Sequence, residues 1–187
     1  MLKHKTGDTP KTYLHRKLAE KWMGFPIQSY GGGVMEQGSI LEGEAIPMYE
    51  VAREVDVRRV GLILTDDGLV GASPDALLDD RGIEVKCPQP HTHIKWLLDG
   101  VVPEDHLLQC YGGMFVTGLR RWDFVSYCRD FPPLIVTVEM SDTVWDVIAE
   151  AVERFYKSMD EGWKKIVSAN GGEPKREIEE IDDNPFE

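Results

Sequence analysis

Between Val57 and Cys87 the hydrophobic period is that of extended strands, while on either side it is that of helices. This change of period constrains the fold more than any other feature. Strand side chains alternate faces every second residue, whereas helices return to a face every three or four. Val57–Leu64, Leu69–Ala72, Asp75–Leu78 and Ile83–Cys87 read as short strands, separated by Asp66-Asp67-Gly68 and Asp79-Asp80-Arg81-Gly82 turns. Upstream, Thr9-Pro10 is a helix start, and Tyr13, Leu14, Leu18 and Trp22 recur at helical spacing until Gly24 and Pro26. Gly31-Gly32-Gly33 reads as a hinge. A second helix spans about Val34 to Arg53, kinked by Pro47. Downstream, a helix from Pro103 to about Thr117 stops at Gly118 and is followed by strands Trp122–Cys128 and Leu134–Glu139. Ser141 caps a long closing helix whose apolar positions, among them Val144, Ile148, Phe155, Trp163 and Ile166, step by three and four. Strands covered by helices on both faces predict an α/β fold of three α/β/α layers.

The chain has 187 residues, 42% of them hydrophobic, which suits one domain with a substantial core. We expect that domain over residues 1–172, with residues 1–33 forming a basic N-terminal helix and glycine hinge. Residues 173–187 read as an acidic, mobile tail. The net charge of −12 is unevenly spread: residues 1–21 carry a net +4 and residues 173–187 a net −5. The middle must therefore expose many carboxylates or use them to hold cations, as a metal-dependent enzyme on a polyanion would; a plain soluble acidic protein is the alternative. No run approaches the roughly 18 apolar residues of a membrane span, and the start lacks a signal-peptide pattern. Cys87, Cys110 and Cys128 are odd in number and far apart, which argues against a disulfide framework, a zinc site or an iron–sulfur cluster. A reduced, cytoplasmic setting is expected.

The stretch Ser73-Pro74-Asp75-Ala76-Leu77-Leu78-Asp79-Asp80-Arg81-Gly82-Ile83-Glu84-Val85-Lys86-Cys87-Pro88 carries the chemistry. By alternation Glu84 and Lys86 share one face of a strand while Ile83, Val85 and Cys87 point into the core. The 79–82 turn folds Asp75 back beside that pair, so two carboxylates and an amine converge. Hard oxygen ligands of this kind hold Mg²⁺ (or Mn²⁺), with the Val85 carbonyl as a further donor. Such a cation and Lys86 together would activate water against a phosphodiester. Taken alone, Pro-Asp is common in turns and Glu-x-Lys on a solvated strand face, so both readings stand at this point.

This pattern resembles the PD-(D/E)xK nuclease core, and more narrowly the phage lambda exonuclease and YqaJ-type viral recombinase family. Three further stretches carry the narrower likeness. Residues 35–45 resemble that family's G-x-x-x-E-x-x-A helix, with Glu42 as its acidic residue. Residues 106–117 resemble its glutamine-bearing helix, with Gln109 in the motif position. Trp122-Asp123-Phe124-Val125-Ser126-Tyr127 resembles the strand that follows. The likeness covers roughly residues 11–165 and implies a restriction-endonuclease-like α/β/α core with a mixed central sheet. It also implies a Mg²⁺-dependent exonuclease that degrades one strand of linear duplex DNA 5′→3′ and leaves single strand for recombination. Asp75 and Glu84 would bind metal, Lys86 would position water, and Glu42 and Gln109 would complete the site. A trimeric ring and a single-strand annealing partner are further implications. Alternatives with the same core are an endonuclease acting at structures or internal sites, and a non-catalytic DNA-binding scaffold.

One departure stands out: nothing before Tyr13 resembles the R-x-G-x-x-T/G-A-S-like segment with which family members contact a 5′-phosphate. Arg16, Lys17 and Lys21 are candidate substitutes, with a solvated helix face as the alternative. His91 and His93, read as lying on a polar loop, are candidate DNA contacts, with a plain surface position as the alternative. The tail Glu179-Glu180-Ile181-Asp182-Asp183-Asn184-Pro185-Phe186-Glu187 resembles the acidic Pro-Phe tips of single-stranded-DNA-binding proteins, which recruit partners.

Overall fold

The structure, a computed structural model, describes residues 9–27 and 34–175, with the backbone alone for 34–40. The expectations for the glycine hinge and for most of the acidic tail fall outside the described residues. The chain forms two compact units, residues 30–149 and residues 1–29 with 150–187.

In the larger unit, helix α2 (Val34–Arg53) precedes a small antiparallel pair, β1 (Ile63–Leu64) and β2 (Gly71–Ala72). The main sheet has four strands in sequence order: β3 (Ala76–Leu77), β4 (Gly82–Lys86), β5 (Arg121–Ser126) and β6 (Leu134–Glu139). The β4–β5 pair is parallel and the other two pairs are antiparallel, so the sheet is mixed. A parallel pair needs a long crossover, and here it consists of α3 (Pro90–Asp99) and α4 (Glu104–Thr117). The long helix α5 (Asp142–Ala169) follows β6.

Strand alternation sorts the core onto the two faces of the sheet. Ala76, Ile83, Val85 and Val125 pack with Ala45, Ile46 and Tyr49 of α2. Leu77, Trp122, Phe124 and Val138 pack with Cys110 and Met114 of α4, joined by Trp96 of α3 and by Val144, Trp145 and Ile148 at the start of α5. The expected three layers are therefore present.

Two expectations are corrected. The segment Val57–Leu64 is not one strand: among the described residues its pairings are a lone bridge between Arg58 and Leu77 and the two residues of β1. The stretch after Cys87 is not a loop. Pro90, with its fixed φ, opens α3 at the first helical position, and Gly100 closes it at φ 64°, donating to the Trp96 carbonyl at 2.9 Å. Helix α2 runs continuously through Pro47.

In the smaller unit, α1 (Pro10–Met23) starts as expected, Thr9 Oγ1 accepting from the Thr12 N–H at 3.2 Å, and ends at Gly24. It packs on the later turns of α5 through Tyr13 on Phe155 and Trp22 on Trp163, with Leu18 against Gly162. Among the described residues no helix is long and apolar enough to cross a membrane.

Candidate active site

Asp75 stands just before β3, and its backbone N–H donates to the Ile83 carbonyl at 3.1 Å. Continuing the pairing of Ala76 with Ile83 by one residue sets Asp75 opposite Glu84. The Asp75 carboxylate accepts the Val85 backbone N–H at 2.6 Å, which fastens it to β4 between Glu84 and Lys86. Those two residues share a face of β4, and the Lys86 amine donates to Glu84 Oε1. This face is not a wet strand surface: α4 covers it, and Glu84 is only 7% exposed.

Glu42 joins them from α2. Its carboxyl is held above the ordinary range by burial and then by the negative charge of Asp75, against the pull of Lys86 and Arg59. Asp75 is likewise raised by burial, opposed by the Val85 amide, Lys86 and Arg59. Glu84 is raised by burial too; Lys86 lowers it, and the charges of Asp75 and Glu42 raise it further. Three acids thus lie within one another's field, with a single amine among them. Like charges in a partly dehydrated pocket favour protonation or a bound cation. Among the described residues no group of three or more His, Cys, Asp or Glu forms a ready-made metal cage. A hard cation that keeps several waters needs only one or two carboxylates, and this donor set, all oxygen, suits it.

Gln109 is exposed on α4, its Oε1 3.0 Å from Nδ1 of the buried His106. The two histidines of α3 part company. His91 is exposed in the first turn. His93 is fully buried, with Nδ1 2.7 Å from Ser126 Oγ and Nε2 3.0 Å from the Pro132 carbonyl. With both ring nitrogens engaged inside the protein, it anchors α3 to β5 and offers no edge to a phosphate. In the smaller unit, Lys17 pairs with Glu20 at 2.7 Å. Arg16 lies over the Tyr13 ring at 5.3 Å and Lys21 over Trp163 at 4.5 Å.

Sequence reading passed over four residues around the acids. Arg59, exposed, acts on both Glu42 and Asp75. Its only sequence signal is an Arg-Arg pair in the run before Ser-Pro-Asp. Glu44, two residues beyond Glu42, pairs with Arg129 and accepts from Tyr127 Oη at 3.2 Å, while the Tyr127 N–H donates to the Lys86 carbonyl at 2.9 Å. These bonds tie α2 to the end of β5 next to the lysine, and no local pattern announces them.

The family model of the YqaJ-like viral recombinase domain matches residues 2–120. LHK-Exo, an alkaline exonuclease from Laribacter hongkongensis, is similar in structure with a TM-score of 0.78 at 26% identity, over 91% of this chain and 88% of its own. The crystal structure of LHK-Exo in complex with dAMP gives 0.77 at 27%, over 86% and 85%. A phage-related exonuclease from Haemophilus somnus 129PT shares the fold at a TM-score of 0.65 and 14% identity, over 83% of each chain. No match is found among curated protein sequences.

Proposed function

Because the chain belongs to the YqaJ-like viral recombinase family, we propose that it is a metal-dependent exonuclease that degrades one strand of linear duplex DNA, 5′→3′. Its three-layer core is that of the PD-(D/E)xK nucleases. The observation that carries the reading is the mutual field of Glu42, Asp75, Glu84 and Lys86 around one end of β4. Asp75, Glu84 and the Val85 carbonyl would hold Mg²⁺, or Mn²⁺ in its place. When bound, the cation supplies a lowered water pKa and charge neutralisation at the phosphate.

The chain's own groups do the rest. Lys86, tethered by Glu84, directs an N–H at the attacking water and at the charge that builds on the phosphoryl oxygens. Water oxygen bonds to phosphorus as its proton passes to solvent, the P–O3′ bond breaks, and the terminal residue leaves as a 5′-mononucleotide whose O3′ takes up a proton, so the shortened strand keeps a 5′-phosphate. Glu42 completes the negative wall, and Gln109 supplies a neutral hydrogen-bonding group. His91, exposed at the start of α3, and Arg16, Lys17 and Lys21 of α1 are proposed phosphate contacts. A trimeric ring, a single-strand annealing partner and action in the host cytoplasm belong to the same proposal.

The test is digestion of linear and covalently closed duplex DNA with Mg²⁺ or EDTA, each strand labelled separately, beside Lys86→Ala. We expect metal-dependent loss of the linear substrate alone, from the 5′-ended strand, and a loss of at least about 10²-fold in Lys86→Ala. Cutting of closed circles would make the protein an endonuclease. Binding without cleavage in Mg²⁺, or in Mn²⁺ in its place, would make it a scaffold.

A further inference from the structure

His106 occupies the first turn of α4 at 5% exposure, in an aromatic setting that fixes its ring. It stacks on Phe124 with centroids 5.6 Å apart and planes 19° apart, and meets Trp96 edge-on at 5.3 Å. Phe124 is the β5 residue in register with Glu84, so the stacked imidazole lies over the face of the sheet that bears Glu84 and Lys86. From there its Nδ1 reaches Gln109 Oε1 at 3.0 Å, one helical turn on.

A glutamine amide has two unlike ends, a carbonyl that accepts and an amine that donates twice, and its last torsion is roughly two-fold. An unrestrained Gln109 would therefore show either end to its surroundings. We propose that His106 is a positioning residue for Gln109. By carrying its proton on Nδ1 it binds the Gln109 carbonyl oxygen and turns the amine end outward, as a donor to a phosphate oxygen of the DNA. The chemistry favours this polarity, because an anionic oxygen is attracted by two N–H groups and repelled by a carbonyl. The assignment rests on the reading of Gln109 as part of a nuclease site.

The experiment compares cleavage of linear duplex by the parent, His106→Phe, His106→Asn, Gln109→Ala and the double variant His106→Phe/Gln109→Ala. Phenylalanine keeps the ring against Phe124 and Trp96 but has no Nδ1 proton. Asparagine places an amide N–H close to where Nδ1 stood. We expect His106→Phe to lower kcat about 10- to 100-fold with a smaller change in KM, the usual penalty for losing the group that orients a site ligand. The double variant should be no slower than Gln109→Ala, and His106→Asn should recover part of the loss. Losses that multiply in the double variant would overturn the inference, since the two side chains would then act separately. A second readout needs no metal and no activity: ¹⁵N spectra of the histidine rings should show His106 protonated on Nδ1 in the parent and released in Gln109→Ala. A neutral ring protonated on Nε2 alone would overturn the inference directly. A parent that cleaves no duplex would sink the nuclease reading instead, while the ring spectra would still report the pairing.

Discussion

Cys87 reports on the acids beside it without needing any substrate. Its half-buried thiol is pushed up to about 12, by burial first and then by the charges of Glu42 and Asp75. A raised thiol pKa favours the protonated form, so at pH 8 the reactive thiolate is on the order of 10⁻⁴ of the total. In EDTA-treated protein, alkylation of Cys87 by iodoacetamide should be slow at pH 8 and rise about tenfold per pH unit to beyond pH 10. The paired substitution Glu42→Gln/Asp75→Asn removes two repelling charges and should speed the reaction at pH 8. Mass spectrometry of the Cys87 peptide checks both, because Cys110 and Cys128 are buried. A parent thiol that alkylates quickly at pH 8 would mean that neither burial nor the acids' field raises it, and an unchanged rate in the paired variant would mean that the field does not reach Cys87.

At the scale of elements, the sheet face that carries Glu84 depends on how closely α4 approaches it. The Trp122 indole lies between Gly82 of β4 and Gly113 of α4, and a methyl at either glycine would overlap the ring. Gly112, its neighbour in the helix, has open space around it. The two glycines should therefore respond to alanine with opposite signs. Gly113→Ala overpacks the core and should cost roughly 1–3 kcal/mol. Gly112→Ala restores helix propensity and should gain about 0.5–1 kcal/mol. Urea denaturation measures both; equal effects would mean that the indole is not the spacer. The same elements mark how far the sequence could be read. The turn between Asp75 and Glu84, the caps of α1 and the Gly118 stop of α4 are local, and each stands where its pattern puts it. The run from Val57 has the pattern of a full strand because alternation reports only willingness to extend; whether a partner lies alongside is decided elsewhere in the chain. Asp123, in the strand expected from Trp122, is wholly buried, accepting from Tyr49 Oη at 2.7 Å and Thr137 Oγ1 at 2.6 Å, with Arg81 3.5 Å away. Its partners come from three other elements and turns, so nothing in its own neighbourhood could have marked it as a buried charge rather than a surface one.

For the whole molecule, the question is how a chain of net charge −12 holds a polyanion. The mean charge opposes association, so the interaction has to come from basic groups grouped against the trend. Residues 1–21 carry a net +4, and the described part of that stretch is α1. Its basic side chains have internal company: Lys17 on Glu20, Arg16 over Tyr13, Lys21 over Trp163. An exposed ion pair of this kind contributes only about 0–1 kcal/mol and is readily exchanged for a phosphate, and a cation over a ring keeps its charge available. Salt dependence separates α1 as a DNA contact from α1 as a helix whose charges serve its own unit. Each phosphate neutralised on duplex DNA contributes about −0.9 to the slope of log K against log salt. Binding of a linear duplex in Ca²⁺, which limits turnover, should therefore weaken steeply with KCl. The pair Lys17→Gln/Lys21→Gln should flatten that slope by about 1.8 if both lysines touch phosphates, while thermal stability moves little. An unchanged slope would remove both lysines as phosphate contacts and turn attention to Arg59, which stands exposed next to the acids. In that case Arg59→Gln is the substitution that should flatten it, by about 0.9.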